Sequence, residues 1–296
     1  TPYVMGIDEI HLLKKSRVVI TNIRENTILD ILENRTKATI EKYLNGIKDK
    51  HKIKWVAMNM WKPYKDAVEK ILPHATIIVD KFHVVRMAND CLETIRKELM
   101  ASLTDKERRA LKGDRRILLK RKKELNSQEL TFLDYLTNNF KKLRLAYELK
   151  ESFLDIWNSA DEKQAKEAYS EWKSKIDDEV KHAFIPILSS MKNWEKEIFA
   201  YFRYRYTNAY TESSNSMIRA INRMDRGYSF EVIRAKMLFS EGVRKVEKSN
   251  YNTKSSEMIV SDTNPKSLFP SKGIDNGFDY GADISILIKK LENGEI

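Results

Sequence analysis

A chain of 296 residues with 42% hydrophobic residues can bury a substantial core, and its 54 Lys and Arg against 43 Asp and Glu give a formal net charge of +11. That charge favours a polyanionic partner such as nucleic acid. A single cysteine, Cys91, excludes an intrachain disulfide and a cysteine-rich zinc site, and no apolar run approaches the roughly 20 residues that span a bilayer. We therefore expect a cytoplasmic protein without a membrane partner.

The amino-terminal part of the chain alternates β-rich runs with helical patterns. In chain order the sequence predicts strands over residues 3–10, 17–21 and 27–32, a helix with its apolar face at Ile40, Tyr43, Leu44 and Ile47, a strand over residues 53–58, a helix from Pro63 to Leu72, and a strand over residues 75–79. The order βββαβαβ predicts an α/β fold with a ribonuclease-H-like core, a mixed five-stranded sheet with helices.

Residues 84–206 have a helical pattern almost throughout, which predicts a large all-helical insertion that interrupts the core. We expect the first part of the core over residues 1–88, the insertion over 89–206, helices that complete the core over 207–248, and a polar linker with a last helix over 249–296. The aromatic residues from Trp157 to Tyr206 are interpreted as helix-packing residues.

Residues 106–123, the basic segment, contain ten Lys or Arg residues against two acids. Two interpretations stay open, because a solvated helix face and a surface that contacts nucleic-acid phosphates both account for such a run. Under the second interpretation the candidate contacts are Lys112, Arg115, Arg116, Lys120 and Arg121.

Two predicted strands run directly into acidic residues. Asp8 and Glu9 interrupt the first, apolar strand, where an uncompensated charge is expensive. Asp80 follows the fifth strand and precedes His83. A carboxylate in such a place favours a cation, and a cap of a turn at the strand end is the alternative.

A third acid, Glu212, lies on a predicted amphipathic helix. At 100° per residue, the residues within about 80° of Glu212 are polar or cationic, namely Asn215, Arg219, Asn222, Arg223 and Arg226. The opposite side carries a predicted buried stripe of Met217, Ile218, Ile221 and Met224. A surface helix in which Glu212 pairs with Arg219 is the alternative.

Three stretches of sequence carry a family resemblance. They are Gly6-Ile7-Asp8-Glu9; Met60-Trp61-Lys62-Pro63-Tyr64 through Leu72-Pro73 to Asp80-Lys81-Phe82-His83-Val84-Val85; and Thr207-Asn208 with Glu212, Asn215, Gly227-Tyr228, Phe230 and Arg234. Together they resemble the bacterial insertion-sequence transposases of the ISL-three type, which use DDE catalytic chemistry.

The resemblance implies an enzyme that cleaves and transfers DNA strands during transposition. Its implied catalytic acids are Asp8, Asp80 and Glu212, which would hold two Mg²⁺ or Mn²⁺ ions. The implied partner is double-stranded DNA, bound by a homo-oligomer, with Arg219, Arg223, Arg226 and Arg234 as phosphate contacts and Glu9, His83 and Asn215 as supporting residues.

The sequence departs from the family pattern at residue 59, where the pattern has Asp and this chain has Asn. Ribonuclease-H topology places the second metal ligand at the end of the fourth strand, so the second acid is either Asp80 or the position of Asn59. In the latter case this copy lacks a metal-binding charge, and a non-catalytic, DNA-binding remnant is the alternative function. The family's amino-terminal zinc module and helix-turn-helix are expected to be missing here.

Overall fold

Five strands form one mixed sheet in the computed structural model, which describes residues 1–113, 115–224 and 227–239. The strands are β1 (Val4–Leu12), β2 (Lys15–Asn22), β3 (Thr27–Leu32), β4 (Trp55–Met58) and β5 (Thr76–Val79). Their order in the sheet is β3-β2-β1-β4-β5. β1, β2 and β3 pair antiparallel, whereas β1, β4 and β5 pair parallel. The predicted mixed five-stranded sheet is therefore confirmed.

Helices connect the later strands, and after β5 the described residues form helices without a further strand. They are α1 (Lys37–Gly46), α2 (Lys62–Ile71), α3 (Lys81–Ala101), α4 (Asp105–Gly113), α5 (Arg115–Leu119), α6 (Ser127–Asn139), α7 (Lys141–Ile156), α8 (Glu162–Ser174), α9 (Lys181–Asn193), α10 (Glu195–Tyr204), α11 (Ala209–Met224) and α12 (Phe230–Phe239). The first compact unit of the chain ends at Leu238, one residue before the end of α12.

Local sequence explains where several helices begin and end. Thr36 accepts a hydrogen bond from the backbone N–H of Thr39 and so caps α1, and Pro63 lies in the first turn of α2, where its missing N–H costs nothing. Asn126 and Glu129 form a reciprocal capping box at the start of α6. Arg205, with a φ of 58°, ends α10 in the left-handed region.

Both faces of the sheet are covered because its side chains alternate between them. Met5 and Ile7 of β1 pack with α1 and α2 on one face, whereas Ile10 and Leu12 pack with Ile218 of α11 and with α12 on the other. Asp8, two residues before Ile10, belongs to the face that α11 covers.

The helices between β5 and α11 have a core of their own, which begins at the sheet. Ile78 and Val79 of β5 belong to it, together with Trp172, Phe153 and Phe184. Trp157, Trp194, Tyr204 and Tyr206 are partly buried against the same core, as predicted for helix-packing aromatic residues. Cys91, on α3, is buried here as a free thiol. This group of helices is called the helical region below.

Two predictions fall on residues that the structure does not describe. The polar linker and the last helix, within residues 249–296, lie outside the described residues, and so does Arg226. Among the described helices, none is long and apolar enough to cross a membrane.

Candidate active site

Three parallel strands end side by side at the acidic edge of the sheet. Ile7 pairs with Met58, and Met58 pairs with Val79, so the residues that follow them in register are Asp8, Asn59 and Asp80. The backbones of adjacent strands lie about 4.8 Å apart, so the Cα atoms of Asp8 and Asp80 are about 10 Å apart, with residue 59 between them. The row therefore has a carboxylate at each end and an amide at its centre.

Asp8 is almost fully buried, with 5% of its surface exposed, and both of its carboxylate oxygens have amide donors. Oδ1 accepts hydrogen bonds from the backbone N–H of Glu9 at 2.7 Å and from Nδ2 of Asn59, and Oδ2 accepts one from Nδ2 of Asn215 at 2.8 Å. Burial raises the pKa of Asp8, and the hydrogen bonds counteract part of that effect.

Asp80 is completely buried but has few partners. Its Oδ1 accepts one long hydrogen bond, 3.4 Å, from the backbone N–H of Asn208, and its Oδ2 has no hydrogen-bond partner among the described residues. Nδ1 of His83 lies 3.5 Å from Oδ2, too far for a strong hydrogen bond. Asp80 immediately precedes α3, and His83 lies in its first turn.

Glu212 reaches the same place from the first turn of α11. Its side chain is 41% exposed, and its Oε1 lies 3.9 Å from Nδ1 of His83. Burial and the charge of Asp80 raise the pKa of Glu212. Burial acts to lower the pKa of His83, but the carboxylates of Asp80, Asp8 and Glu212 outweigh it, and that pKa is raised.

The start of α11 is held against β1 by a buried polar cluster. Asn208 donates from Nδ2 to the backbone oxygen of Ile7 at 3.2 Å, and its Oδ1 accepts from the Thr211 hydroxyl at 2.5 Å. The hydroxyls of Thr211 and Thr21 are 2.7 Å apart. A Cβ on Gly6 would lie under 3.0 Å from these side chains, so only glycine permits this approach. The cluster fixes Glu212 relative to the sheet edge.

One group of three residues in the described chain has the spacing of a metal site. A ligand atom of each of Asp80, His83 and Glu212 lies within 4.8 Å of those of the other two. Asp8 is outside this group, although its charge contributes to the pKa shifts of both His83 and Glu212. The structure thus brings all three predicted acids to one edge, with His83 among them.

Glu9, a predicted supporting residue, has a different position from its neighbour. Because strand residues alternate, Glu9 and Asp8 point to opposite faces of the sheet. Glu9 forms an ion pair with Arg35, whose guanidinium lies 4.7 Å from the centre of the exposed Trp61 ring. Glu9 therefore lies next to Asp8 in sequence but on the opposite face of the sheet, away from the other acids.

Two expectations about burial in α11 were wrong. Asn215, predicted on the polar side of the helix as a supporting residue, is buried and donates to Asp8. Met224 was placed in the buried stripe, but it is 73% exposed in the last turn of the helix, whereas Ile218 is fully buried. Helix α11 contacts the sheet through polar residues such as Thr211 and Asn215 as well as through Ile218.

The predicted arginine contacts separate into two groups. Arg219 and Arg223 are exposed on the helix that carries Glu212. Arg234 instead donates to both carboxylate oxygens of Asp30, at 2.7 and 3.0 Å, on the edge strand β3. β3 and β5 are at opposite edges of the sheet, so Arg234 is not beside Asp80.

The basic segment spans α4 and α5, and its side chains also differ from one another. Arg116 is exposed, whereas Arg115 pairs with Glu93 at 3.3 Å, Lys120 pairs with Glu129 at 2.5 Å, and Arg121 pairs with Glu151 and Asp155. The side chain of Lys112 lies outside the described residues.

Sequence reasoning missed the residues that position the acids. Thr21 and Thr211 were given no role, and Gly6 and Asn208 were noted only as parts of family motifs. A signal was present for Gly6, since an isolated glycine inside a strand often marks a close backbone approach.

Comparison with known proteins places these features in a family. The profile of a family described as transposase, of the DDE class and ISL-three type, matches residues 5–237. The transposase for insertion sequence element IS1001 from Bordetella parapertussis is 24% identical over 231 residues, which are 76% of this chain and 57% of that protein. The chain thus spans little more than half the length of this relative.

Proposed function

Since the chain belongs to the ISL-three type of DDE transposases, we propose that it catalyses metal-dependent DNA strand cleavage and strand transfer during transposition of an insertion sequence. The observation that carries this proposal is the meeting of Asp8, Asp80 and Glu212 at one sheet edge. These acids come from β1, the end of β5 and α11, which are far apart in sequence and which the fold brings together.

The residues at this edge fit divalent cations. Carboxylate oxygens are the ligands that Mg²⁺ and Mn²⁺ prefer, and the buried Oδ2 of Asp80 has no hydrogen-bond partner among the described side chains and backbone. Asp8, Asp80 and Glu212 would hold two such ions, with Asn59 as a further oxygen ligand. When bound, the ions would supply activation of a water or a 3′-hydroxyl and charge stabilisation at phosphorus.

The other residues of the site serve to orient and to bind. Asn215 and Asn59 fix the carboxylate of Asp8 by donating to its two oxygens. The exposed Arg219 and Arg223 lie on the helix of Glu212 and would contact phosphates of double-stranded DNA near the acids. Neither arginine has an ion pair with a described residue, so both are available for phosphate.

The same assignment gives the chain a domain arrangement. We infer a ribonuclease-H-like core formed by residues 1–88 and 207–248, interrupted by a helical insertion over residues 89–206 and followed by a linker and helix over 249–296. The strand order β3-β2-β1-β4-β5 and the helical region between β5 and α11 support this division. Assembly as a homo-oligomer on DNA belongs to the same proposal.

A second candidate function, a DNA-binding remnant without catalysis, is favoured by one observation. Residue 59 is at the centre of the row of strand ends, and its amide donates to Asp8 where an aspartate would add a negative charge. An amide oxygen can bind Mg²⁺ but does not supply the charge that holds two cations close together. We propose that Asn59 limits the chemistry of this copy.

Nicking of supercoiled plasmid DNA in Mg²⁺ tests both functions, because it needs no recognition of element ends. We expect weak nicking by the parent and a gain of at least about tenfold, or about 1.4 kcal/mol of activation free energy, in Asn59→Asp. Asp80→Asn introduced into Asn59→Asp should abolish the gain. Asn139→Asp, which adds the same charge at an exposed site on α6, should change nothing.

Each alternative has its own outcome. Strong nicking by the parent, no gain in Asn59→Asp and complete loss in Asp80→Asn would make Asp80 the second catalytic acid and remove the limiting role of Asn59. No nicking by any variant, together with retained DNA binding, would favour the remnant over the enzyme.

A further inference from the structure

The tightest group of potential metal ligands in the described residues is not the three acids that the family implies. It consists of Asp80, His83 and Glu212, whose ligand atoms all lie within 4.8 Å of one another. Metal–nitrogen and metal–oxygen bonds are about 2.0–2.2 Å long, so two ligands of one ion are at most about 4.4 Å apart. Small side-chain rotations would therefore bring all three groups onto a single ion.

Two atoms of this group are buried without a geometrically sound hydrogen bond, which is a second sign of a ligand. Oδ2 of Asp80 and Nδ1 of His83 have no hydrogen-bond partner among the described residues, and Asp80 is completely buried. A buried polar atom left unpaired costs about 1–3 kcal/mol. Both atoms face each other across 3.5 Å, and both carry lone pairs suited to a metal.

The backbone holds these ligands in place. The N–H of Asp80 donates to the backbone oxygen of Met58 at 3.0 Å, and the N–H of His83 donates to the backbone oxygen of Asp80 at 3.2 Å. Glu212 is fixed by the N–H it donates to the backbone oxygen of Asn208 at 3.0 Å. The starts of α3 and α11 both face the site, but a helix end carries only about half a charge, less than the full charges of two carboxylates.

The carboxylate of Asp8 accepts more hydrogen bonds than that of Asp80. Its two oxygens accept three hydrogen bonds, from the backbone of Glu9 and from the amides of Asn59 and Asn215. These donors are neutral amides that orient the carboxylate of Asp8, whereas Asp80 accepts one long hydrogen bond and lies beside the imidazole of His83.

We propose that Asp80, His83 and Glu212 bind one divalent transition-metal ion, with His83 as a nitrogen ligand and with preference for Mn²⁺, Co²⁺ or Zn²⁺ over Mg²⁺. Mg²⁺ takes octahedral oxygen ligands, whereas an imidazole nitrogen favours the transition metals. The inference concerns the same edge of the sheet as the proposed function, but it does not depend on DNA cleavage.

Binding is measured by calorimetric titration of the chain with MnCl₂, CoCl₂ or MgCl₂, without DNA. We expect one tight site for Mn²⁺ and Co²⁺ and at least tenfold weaker binding of Mg²⁺. Pulsed electron paramagnetic resonance of the Mn²⁺-loaded parent should show coupling to a coordinated nitrogen. This readout needs no variant and is independent of folding defects.

Variants then identify the ligands. His83→Gln should lower Mn²⁺ affinity at least tenfold and abolish the nitrogen coupling while leaving Mg²⁺ affinity within threefold. The matched control is His182→Gln, because His182 also faces a carboxylate, Glu98 at 2.9 Å, but on the exposed surface of the helical region. It should bind Mn²⁺ like the parent.

Two results would overturn the inference. They are equal affinity for Mg²⁺ and Mn²⁺, or absence of nitrogen coupling in the parent. Failure of the proposed function is distinguishable, because metal binding through His83 without any nicking would retain this inference and remove catalysis.

Discussion

Two fully buried charged side chains, Lys150 in the helical region and Asp80 at the sheet edge, have opposite surroundings. The ammonium of Lys150 donates to the backbone oxygens of Leu118 and Lys120, at 3.0 and 2.8 Å, and pairs with Glu151 at 2.9 Å. The carboxylate of Asp80 accepts one hydrogen bond of 3.4 Å, and its second oxygen has no hydrogen-bond partner within the described residues.

The difference teaches how to tell a structural charge from a functional one. A buried charge is tolerated when hydrogen bonds and an opposite charge compensate its desolvation. Lys150 has two carbonyl acceptors and an opposite charge within the chain, so its role is to stabilise the fold. Asp80 meets that condition only in part, through His83 at 3.5 Å, and a buried carboxylate with so few hydrogen bonds is an expected property of a ligand site. Variants at the two positions should therefore change stability in opposite directions.

The largest effect is expected for Lys150→Met, which keeps the apolar stem and removes the ammonium. It leaves two buried carbonyl oxygens without their donor, at about 1–3 kcal/mol each, and removes the desolvation cost of the charge. We expect a net loss of about 2–4 kcal/mol in the free energy of unfolding, measured in urea. Lys141→Met, which breaks the exposed pair with Glu179, should leave the midpoint unchanged. Equal effects of the two would contradict the structural role.

The same variant gives a pH dependence with a defined sign. Burial lowers the pKa of Lys150, against the opposing effect of Glu151. Lys150 has a lowered pKa in the folded state and a pKa of about 10.4 in the unfolded state. At pH values between the two, the folded state has lost the proton of Lys150 while the unfolded state keeps it. The free energy of unfolding of the parent therefore rises with pH in that window. The stability of the parent relative to Lys150→Met should therefore increase towards alkaline pH. If unfolding experiments show that this stability difference decreases across that range, the ion pair with Glu151 outweighs burial.

Gly6→Ala should have the next largest effect and acts on the Asp80 side of the comparison. Its Cβ would lie under 3.0 Å from the side chains of Thr21, Thr211 and Asn208, which hold α11 on β1. Overpacking of this kind costs about 1–3 kcal/mol. We expect that loss in thermal unfolding, together with weaker metal binding, because Asn208 also contacts Asp80. Gly46→Ala, with open space around its Cβ, is the control and should be neutral or slightly stabilising.

Asp80→Asn should move stability the other way. Replacing an unsatisfied buried carboxylate with an amide removes a desolvation cost, so in metal-free buffer we expect a gain of up to about 1–2 kcal/mol. The matched carboxylate in the helical region is Glu93, which accepts from Arg96 at 2.6 and 2.7 Å. Glu93→Gln should destabilise. If both variants destabilise, Asp80 is a structural residue and the contrast with Lys150 fails.

The sequence was sufficient for the sheet because periodicity and turn residues determine strands locally. It underestimated β1 and β2, which continue to a turn formed by Leu13 and Lys14 at φ of 52° and 60°. Such turns usually contain Asn-Gly, and neither residue here signals one. The end of α2 before Pro73 followed from an ordinary stop signal, because proline cannot continue a helix.

The site was predictable in its acids but not in their surroundings. Asp8 and Asp80 were visible because a charge at the end of an apolar strand is unusual. The hydrogen bond from Asn215 to Asp8 joins residues 207 positions apart, and no local pattern encodes such a contact. For the same reason the partners of Lys120 and Arg121 could not be foreseen from the composition of the basic segment.

The smallest expected effect concerns that segment and extends the comparison to its surface. Lys122 and Lys123 are exposed and have no ion pair with a described residue, whereas the adjacent Lys120 and Arg121 are occupied by acids. A lysine that already pairs within the chain releases few counterions on binding DNA, so only the free pair should contribute to the salt dependence of affinity. We expect Lys122→Gln with Lys123→Gln to flatten the slope of log affinity against log salt by about two units at most, one per contact.

Lys120→Gln with Arg121→Gln should leave the slope unchanged and lower thermal stability instead. Fluorescence anisotropy with a labelled duplex at several salt concentrations measures both. An unchanged slope in the first double variant would mean that these lysines only solvate a helix face.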